Sequence, residues 1–503
     1  MGNPSATLSA NEARHLLRRT GFGAPRTTVT QLTGRTRGAA VDGILSFKPT
    51  KFKPRGSGTD ARLYSWVRYM ISSKFQLQEK LVLFWHDHFA NSDAKVANDR
   101  FMANQNATFR KFCKGNFKDF VKTMNTDVAM LEFLDTVRNF KDVPNENYAR
   151  ELQELFTLGV KDFNGNANYD QADIVQIARA FTGWNYDYRK AKPYFDDYYH
   201  DYTADFSERG PKVIYKNHGG FQPTGRNYAP TADDEGAQEI NAVIDIIFDH
   251  KDTSGKSTVA RFITQKLISY FAHPAPSAAF VDTVIAESNF DGAVVDPLKP
   301  AWNIGALLRA IFVNDEFYAT AAAADPSTGF DASTPKSVKW PTDFVVSTMR
   351  LLRMRLQGRY AIVNGGDYRS VHDHLENMGQ HLFEPPSVFG WDWETAWLSS
   401  STLLARYGFA RDLINARGTS TSRFRPQILV DLNLTDPADI VTAVTDVFGI
   451  TDQLSDGEKA ILADYLTNNG AVSSLDLHDY DTRNLKLHGL FALVMQTAAY
   501  QVH

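Results

Sequence analysis

Residues 143–184, VPNENYARELQELFTLGVKDFNGNANYDQADIVQIARAFTGW, contain two helices that carry many ionisable groups. In the first helix Asn145 is a favourable N-cap and Gly159 marks the end. Apolar residues recur at the spacing of one buried helix face: Tyr148, Leu152, Leu155 and Phe156. Short connections usually leave consecutive helices adjacent, so we expect the helix at 170–183 to pack against the helix at 145–158.

The first of these helices places carboxylates on a face beside the buried one. Glu151 and Glu154 stand three residues apart and lie one above the other, while Glu146 and Arg150 form an i,i+4 pair. Two stacked carboxylates repel each other unless a metal ion, an arginine or water lies between them. We therefore take Glu151, Glu154 and Arg150 as candidate catalytic residues.

A second group of candidate residues lies in 77–96, LQEKLVLFWHDHFANSDAKV. Helical spacing puts His88 on the apolar stripe and His86 roughly opposite, so both ligate one ion only if the helix ends or unwinds near Asp87. Imidazole from this segment and carboxylates from a neighbouring helix suit zinc, manganese or iron. The predicted metal ligands are His86, His88, Glu151 and Glu154, which requires the two segments to be neighbours.

A structural interpretation of the same residues remains open. His88 is then a core histidine, and Glu151 and Glu154 pair with Arg150 or Arg179. The triplet His372, His374 and His381, which precedes a double proline, is likewise interpreted as core or surface histidines.

Residues 185–235 have no helical period, and alternation appears only in KVIYK. This pattern predicts a small β-hairpin around 195–216 inside a long loop. Seven tyrosines between Tyr186 and Tyr215 suit stacking against sugar rings or contact with a protein partner. The candidate substrate-binding residues are Arg179, Tyr198, His200 and Asp201.

Helical signals dominate elsewhere, so the predicted fold is a mainly α, multi-helix globular protein. We expect a helical core over 1–330 and a helical C-terminal part over 331–503 packed on it. A net charge of −4 gives no reason to expect nucleic acid as a partner, and no apolar run reaches the ~20 residues of a membrane-spanning helix. The single cysteine, Cys113, excludes an intramolecular disulfide and a cysteine-cluster metal site.

Several strings, in this order, resemble the bacterial domain-of-unknown-function 1800 family. They include RHLLRRTGFGAP, KLVLFWHDHFANSDAKV, PNENYARELQELFTLGV, ARAFTGW, ARFITQKLISYF and GQHLFEPPSVFGWDWETAWLSSSTLLAR. The resemblance runs from about Ala10 to the final FALVMQTAAYQV and implies an exported protein that often occurs beside a sulfatase-like companion. The family usually has asparagine where this chain has Asp87, and its HD, glycine and lysine are loosely echoed by His200, Asp201, Gly210 and Lys212.

Two functions follow as hypotheses. The first is a metal-dependent, hydrolase-like enzyme acting on an extracellular polymer or its fragments, in which the ion lowers the pKa of bound water. The second is a non-catalytic surface or assembly protein that binds a partner through its tyrosine-rich loop. Residues 1–10 have no basic region followed by an apolar one. Export after removal of a signal peptide and a cytoplasmic location are therefore both retained as expectations.

Overall fold

The computed structural model describes residues 2–202, 212–218, 233–322, 325–327, 336–356, 362–364, 367–416 and 423–503. The chain is 57% helical, which confirms the predicted mainly helical fold. The helices up to residue 180 are α1 (Ala10–Thr20), α2 (Arg26–Leu32), α3 (Arg37–Leu45), α4 (Thr59–Ser72), α5 (Gln76–His88), α6 (Asp93–Val96), α7 (Asp99–Phe112), α8 (Phe117–Met124), α9 (Val128–Phe133), α10 (Asn147–Glu151) and α11 (Gln171–Ala180).

The second half of the chain continues the helical architecture. Its helices are α12 (Asp233–Phe248), α13 (Thr258–Phe271), α14 (Ala278–Ser288), α15 (Ile304–Val313), α16 (Pro341–Leu351), α17 (Val371–Asn377), α18 (Ser400–Ile414), α19 (Pro437–Phe448), α20 (Asp456–Thr467), α21 (His488–Gln496) and α22 (Ala498–Gln501). None of the helices in the described ranges is both long and apolar enough to cross a membrane.

Strand is confined, among the described residues, to two small antiparallel hairpins. Strand β1 (Trp184–Asp187) pairs with β2 (Lys192–Phe195), and β3 (Ile362–Asn364) pairs with β4 (Asp367–Arg369). The first hairpin lies at the start of the predicted loop, where aromatic residues favour extended backbone. The observed hairpin, at 184–195, lies at the start of the loop predicted near 185–235. Within the narrower predicted position of 195–216, residues 203–211 lie outside the described residues, and a short 3₁₀ helix begins at Lys216.

Helix α5 lies at the centre of the molecule. Every residue from Leu77 to His88 is buried, so this helix is covered on all sides. The prediction of an amphipathic helix with one apolar stripe is therefore wrong. Its charged residues have buried partners, because an unpaired charge in the interior is costly. Glu79 accepts two hydrogen bonds from Arg110, at 2.7 and 2.8 Å, and Lys80 lies 2.6 Å from Asp343.

The ion pair between Lys80 and Asp343 also joins the two predicted parts of the chain. His503, the last residue, lies 3.2 Å from the same Asp343 carboxylate. Arg350 reaches back to donate to the carbonyl oxygens of Phe22 and Ile71. These contacts place α16 and the C-terminus directly against α5, and the division into 1–330 and 331–503 stays a prediction.

Candidate active site and the buried polar groups around it

The helix that begins at Asn147 changes its winding after one turn. Asn145 Oδ1 accepts the N–H of Asn147 at 3.0 Å, but the N-cap position is occupied by Glu146, whose side chain makes no capping hydrogen bond. Residues Leu152–Thr157 are π-helical, and Leu158 N–H donates to the Gln153 carbonyl at 2.9 Å. The predicted helix at 145–158 is therefore present over 147–157, with a π-helical second half that the sequence analysis did not predict. Single π-helical turns are frequent at functional sites.

Glu151 and Glu154, hereafter the acidic pair, flank the junction between the α-helical and π-helical turns. Glu154 has a cationic partner, since Arg150 Nη1 lies 3.6 Å from its Oε1. The hydroxyl of Tyr169 is also hydrogen-bonded to Glu154, and burial together with this carboxylate raises the pKa of Tyr169. Arg150 itself is held from the other side by Glu146 at 3.3 Å.

Glu151 differs from Glu154 in its surroundings. Its Oε2 atom is buried and has no hydrogen-bond partner among the described residues. Burial raises the pKa of Glu151 to about 7, and the neighbouring charge of Glu154 adds to this rise. At neutral pH the acidic pair therefore shares its charge unequally: Glu151 keeps a proton in part of the population, beside a Glu154 that already has Arg150 as a partner.

The predicted ligand His86 is enclosed by aromatic rings. Its Nε2 accepts the backbone N–H of Phe383 at 2.9 Å. Trp66, Phe383 and Trp391 have ring centroids 5.1 to 5.5 Å from the imidazole. Burial lowers the pKa of His86 to about 3, so the ring is neutral at physiological pH.

His88 points into a different set of rings. Its Nε2 lies 3.2 Å from the Phe156 carbonyl oxygen, which requires that this nitrogen carry the proton. Its Nδ1 is buried and has no hydrogen-bond partner in the described part of the chain. Burial holds the pKa of His88 well below its usual value. The contact with Phe156 confirms that the α5 segment and the segment around Glu151 are neighbours.

Asp87, between the two histidines, is tied to the C-terminal part of the chain. Its carboxylate accepts the Trp391 N–H at 2.8 Å and the Trp393 indole N–H at 3.0 Å. Burial raises the pKa of Asp87 to about 6, against the nearby charge of Lys266. Trp391 and Trp393 belong to the string FGWDW, whose role as a cover for α5 the sequence did not indicate.

The geometry bears on the predicted metal site without testing it. Helix α5 stays regular as far as His88, and the two imidazoles have Nε2 atoms already occupied by backbone groups. His88 Nδ1 and Glu151 Oε2, by contrast, are buried and have no hydrogen-bond partner in the described residues. The set His86, His88, Glu151 and Glu154 therefore stays a prediction.

Three of the four predicted substrate-binding residues meet in a buried charge network. Arg179 Nε donates to Asp201 at 2.8 Å, and both side chains are at most 2% exposed. His200 Nε2 lies 2.9 Å from Glu239, which also accepts from Lys212 at 2.6 Å. Burial alone would raise the pKa of Glu239, but the hydrogen bond from His200 and the charge of Lys212 hold it below its usual value.

Glu239 was missed by the sequence analysis because it is one of five acidic residues on α12, and no motif or spacing distinguishes it from the others. The structure joins it to His200 and Lys212, which stand 12 residues apart in a segment without helical period. This closed network leaves little room for a substrate, and its assignment to substrate binding stays a prediction.

Tyr198, the fourth predicted substrate-binding residue, is at the surface. It is 71% exposed, and the ammonium group of Lys141 lies 4.6 Å from its ring centroid. Three more tyrosines of the first hairpin region are exposed: Tyr188, Tyr194 and Tyr199. The structure thus separates the tyrosine surface from the buried His200 network that the sequence had grouped with it.

Comparison with known proteins identifies a family but no reaction. A family model described as "Protein of unknown function (DUF1800)" matches residues 15–502. The search of curated proteins and the search of solved structures each gave no match.

Proposed function

Because the chain belongs to the DUF1800 family of proteins of unknown function, we propose a function from its own residues: a hydrolase whose acidic pair performs general acid–base catalysis. The observation that carries this proposal is the contrast between the two carboxylates. Glu154 is paired with Arg150, whereas Glu151 has a buried oxygen without a hydrogen-bond partner among the described residues and a pKa raised to about 7. Two carboxylates with different environments are the usual basis of acid and base roles.

In this mechanism Glu151 acts as the proton donor. A carboxylic acid with a pKa near 7 is protonated often enough to transfer its proton to a leaving oxygen and is basic enough to recover it from water. Glu154 remains ionised. It either activates the attacking water or stabilises the positive charge that develops in the transition state. Arg150, held by Glu146 and Glu154, keeps the second carboxylate in place.

The proposed substrate class is a polymer, with sugar polymers first. The loop after the 3₁₀ helix Thr136–Arg138 connects the acidic pair to the exposed tyrosines. Its Lys141 N–H donates to the Tyr199 carbonyl at 2.9 Å, and Asn139 Oδ1 accepts the N–H of Asn145, just before α10. Exposed tyrosine rings that are linked through this loop to two carboxylates suit a chain of sugar rings.

The test is an assay for released reducing ends against a panel of soluble neutral and acidic polysaccharides. Wild-type protein should cleave one class, and Glu151→Gln should lower kcat by at least about 100-fold, the usual contribution of general acid–base catalysis. The pH profile of kcat/KM should show an ionisation near 7 that disappears in the variant. Asp464→Asn, which changes an exposed carboxylate on α20, is the control and should keep activity. Equal activity of Glu151→Gln and wild type on a cleaved substrate would refute the proposal.

The metal-dependent form of this function is a separate proposal. Zinc, manganese or iron bound by the acidic pair would polarise an oxygen and lower the pKa of water. Elemental analysis of protein purified without a chelating tag tests it, and the metal content should fall in Glu151→Gln. If the metal content is unchanged in this variant, either the ion is bound elsewhere or only the metal-free acid–base mechanism remains.

A second candidate function, a surface or assembly protein that binds a partner, is favoured by the exposed tyrosines. Aromatic residues are enriched in protein interfaces, and Tyr188 and Tyr198 are 65% and 71% exposed. The proposed partners include a sulfatase-like companion exported with this chain. Pull-down with purified companion should fail after Tyr198→Ala, while Phe389→Ala, an exposed aromatic far along the chain, should retain the companion.

A further inference from the structure

Two histidines outside the proposed active site lie close together at the surface of α17. His372 is on the first turn of this helix, and His381 follows its C-terminal end. Their ring centroids are 4.4 Å apart with an interplanar angle of 68°. The side chains are only 19% and 22% exposed, so most of each ring is covered, while one side remains open to solvent.

The histidines are surrounded by carboxylates from three segments. His372 Nε2 lies 3.7 Å from Asp60 of α4 and 3.6 Å from Glu376. His381 Nδ1 lies 3.1 Å from Glu384. One ligand atom each from Asp60, His372 and His381 all fall within 4.8 Å of one another, which no other trio of His, Cys, Asp or Glu achieves among the residues that the structure describes.

Two further observations distinguish this cluster from ordinary surface ion pairs. His372 Nδ1 and His381 Nε2 are both buried atoms without a hydrogen-bond partner in the described ranges. Burial lowers the pKa of His381, and the charge of His372 lowers it further while Glu384 opposes this change. Imidazole nitrogens without a hydrogen-bond partner, in the neutral form of the ring, are the groups that bind transition metals.

We propose that Asp60, His372 and His381 form a binding site for a divalent transition-metal ion, with zinc as the preferred ion. Zinc takes imidazole nitrogen and carboxylate oxygen at about 2.0–2.2 Å in a tetrahedral arrangement. Small rotations of the three side chains bring their ligand atoms to that distance from one shared ion. The exposed Asp60 is free to make the largest movement. Water or Glu376 completes the tetrahedron.

An ion at this position would connect α4 to α17 and to the segment that covers α5. His381 is two residues before Phe383, whose N–H donates to His86. The site would therefore fix the cover over the buried histidines of α5 without touching the acidic pair. This proposal is independent of the proposed hydrolase function.

The test is zinc binding to chelator-stripped full-length protein, measured by competition with a chromophoric chelator. Wild type should bind zinc tightly at a stoichiometry that drops by one in His372→Gln and in His381→Gln, each weakening this site at least about tenfold. Cobalt(II) should give the visible bands of a tetrahedral ion with nitrogen ligands, and these bands should disappear in the same variants. Asp60→Asn, at a 68% exposed side chain, should weaken binding without affecting folding.

Two controls make the result specific. His478→Gln changes an exposed histidine outside the cluster and should bind zinc like wild type. Glu151→Gln separates this site from any metal at the acidic pair, since it should leave the cobalt spectrum of the His372 site unchanged. Wild-type protein that binds no zinc, or binding that survives in His372→Gln and His381→Gln alike, would overturn the proposal.

Discussion

The carboxylate of Asp87 accepts the backbone N–H of Trp391 at 2.8 Å, across 304 residues of sequence. The adjacent Gly390 has φ +83°, and a Cβ atom at this position would collide with the Asp87 carboxylate and with its backbone oxygen. The close approach of two chain segments therefore requires glycine here for two reasons: the left-handed backbone and the missing side chain.

The first prediction follows from this contact. Gly390→Ala should lower the free energy of unfolding by about 3 kcal/mol or more, because strain and collision add to each other at a buried hydrogen bond. Gly34→Ala is the matched control, since Gly34 has φ +80° with open space around the new Cβ. It should cost about 1 kcal/mol, the price of the left-handed backbone alone. Urea unfolding followed by circular dichroism measures both, and equal costs would contradict the collision.

The second prediction concerns the two arginines that the sequence proposed as partners of the acidic pair. Arg179→Met should cost about 3–5 kcal/mol, because it leaves the buried Asp201 without its cation. Arg150 is 38% exposed, and Arg150→Met should cost less than about 1 kcal/mol, as is usual for surface ion pairs. Chemical denaturation of the two variants distinguishes these cases. A small effect of Arg179→Met would show that the His200 network is not structural.

The sequence predicted local structure better than it predicted burial. The helix predicted at 170–183 begins with a capping box at Asp170, because the side chain and the backbone N–H that it caps are neighbours in sequence. The full burial of α5 was not predictable from its own residues. Its polar residues are compensated by Arg110, Asp343 and Trp391, which come from distant parts of the chain.

The candidate site shows the same difference between features that depend on local sequence and features that depend on distant contacts. The proximity of the acidic pair follows from helical spacing, and so does the ion pair with Arg150. The π-helical turn and the buried Oε2 of Glu151 depend on tertiary packing, which spacing does not encode. His372 and His381 come together because the chain turns after α17. No feature of the sequence indicated this contact, so the two residues were interpreted as separate core or surface histidines.

The third prediction uses the single thiol. Arg110 and Lys114 lie near Cys113 and would lower its pKa, but burial outweighs them and raises the pKa of the thiol to about 12. The thiol is fully buried at the end of α7, so a chromophoric disulfide reagent should label native protein only at the rate of transient opening. Labelling should become complete within the mixing time in denaturing urea. Rapid modification of native protein at pH 8 would contradict the burial of this residue.

The last prediction is a pH dependence of stability caused by Glu151. Its pKa is raised from 4.5 to about 7 in the folded chain. A carboxylate with a raised folded pKa contributes stability that is present below pH 4.5 and is lost as the pH rises through about 7. Glutamine does not titrate, so Glu151→Gln should match wild type near pH 4 and exceed it at pH 8. Full burial would make this difference about 3 kcal/mol, and solvent screening at a partly exposed side chain reduces it to about 1 kcal/mol.

Unfolding in urea at pH 4, 6 and 8 measures this difference directly. Glu146→Gln, a change of a partly exposed carboxylate just before the same helix, should show no comparable increase in stability between pH 4 and 8. The sign of the stability change at pH 8 distinguishes two roles of Glu151. If Glu151 were the ion-pair partner of a buried arginine, Glu151→Gln would be less stable than wild type at pH 8. The structure gives Arg150 and Arg179 other carboxylates as partners, at Glu146 and Asp201. A stabilised variant would thus show that Glu151 is kept at a cost to folding, which is the expected condition of a catalytic acid.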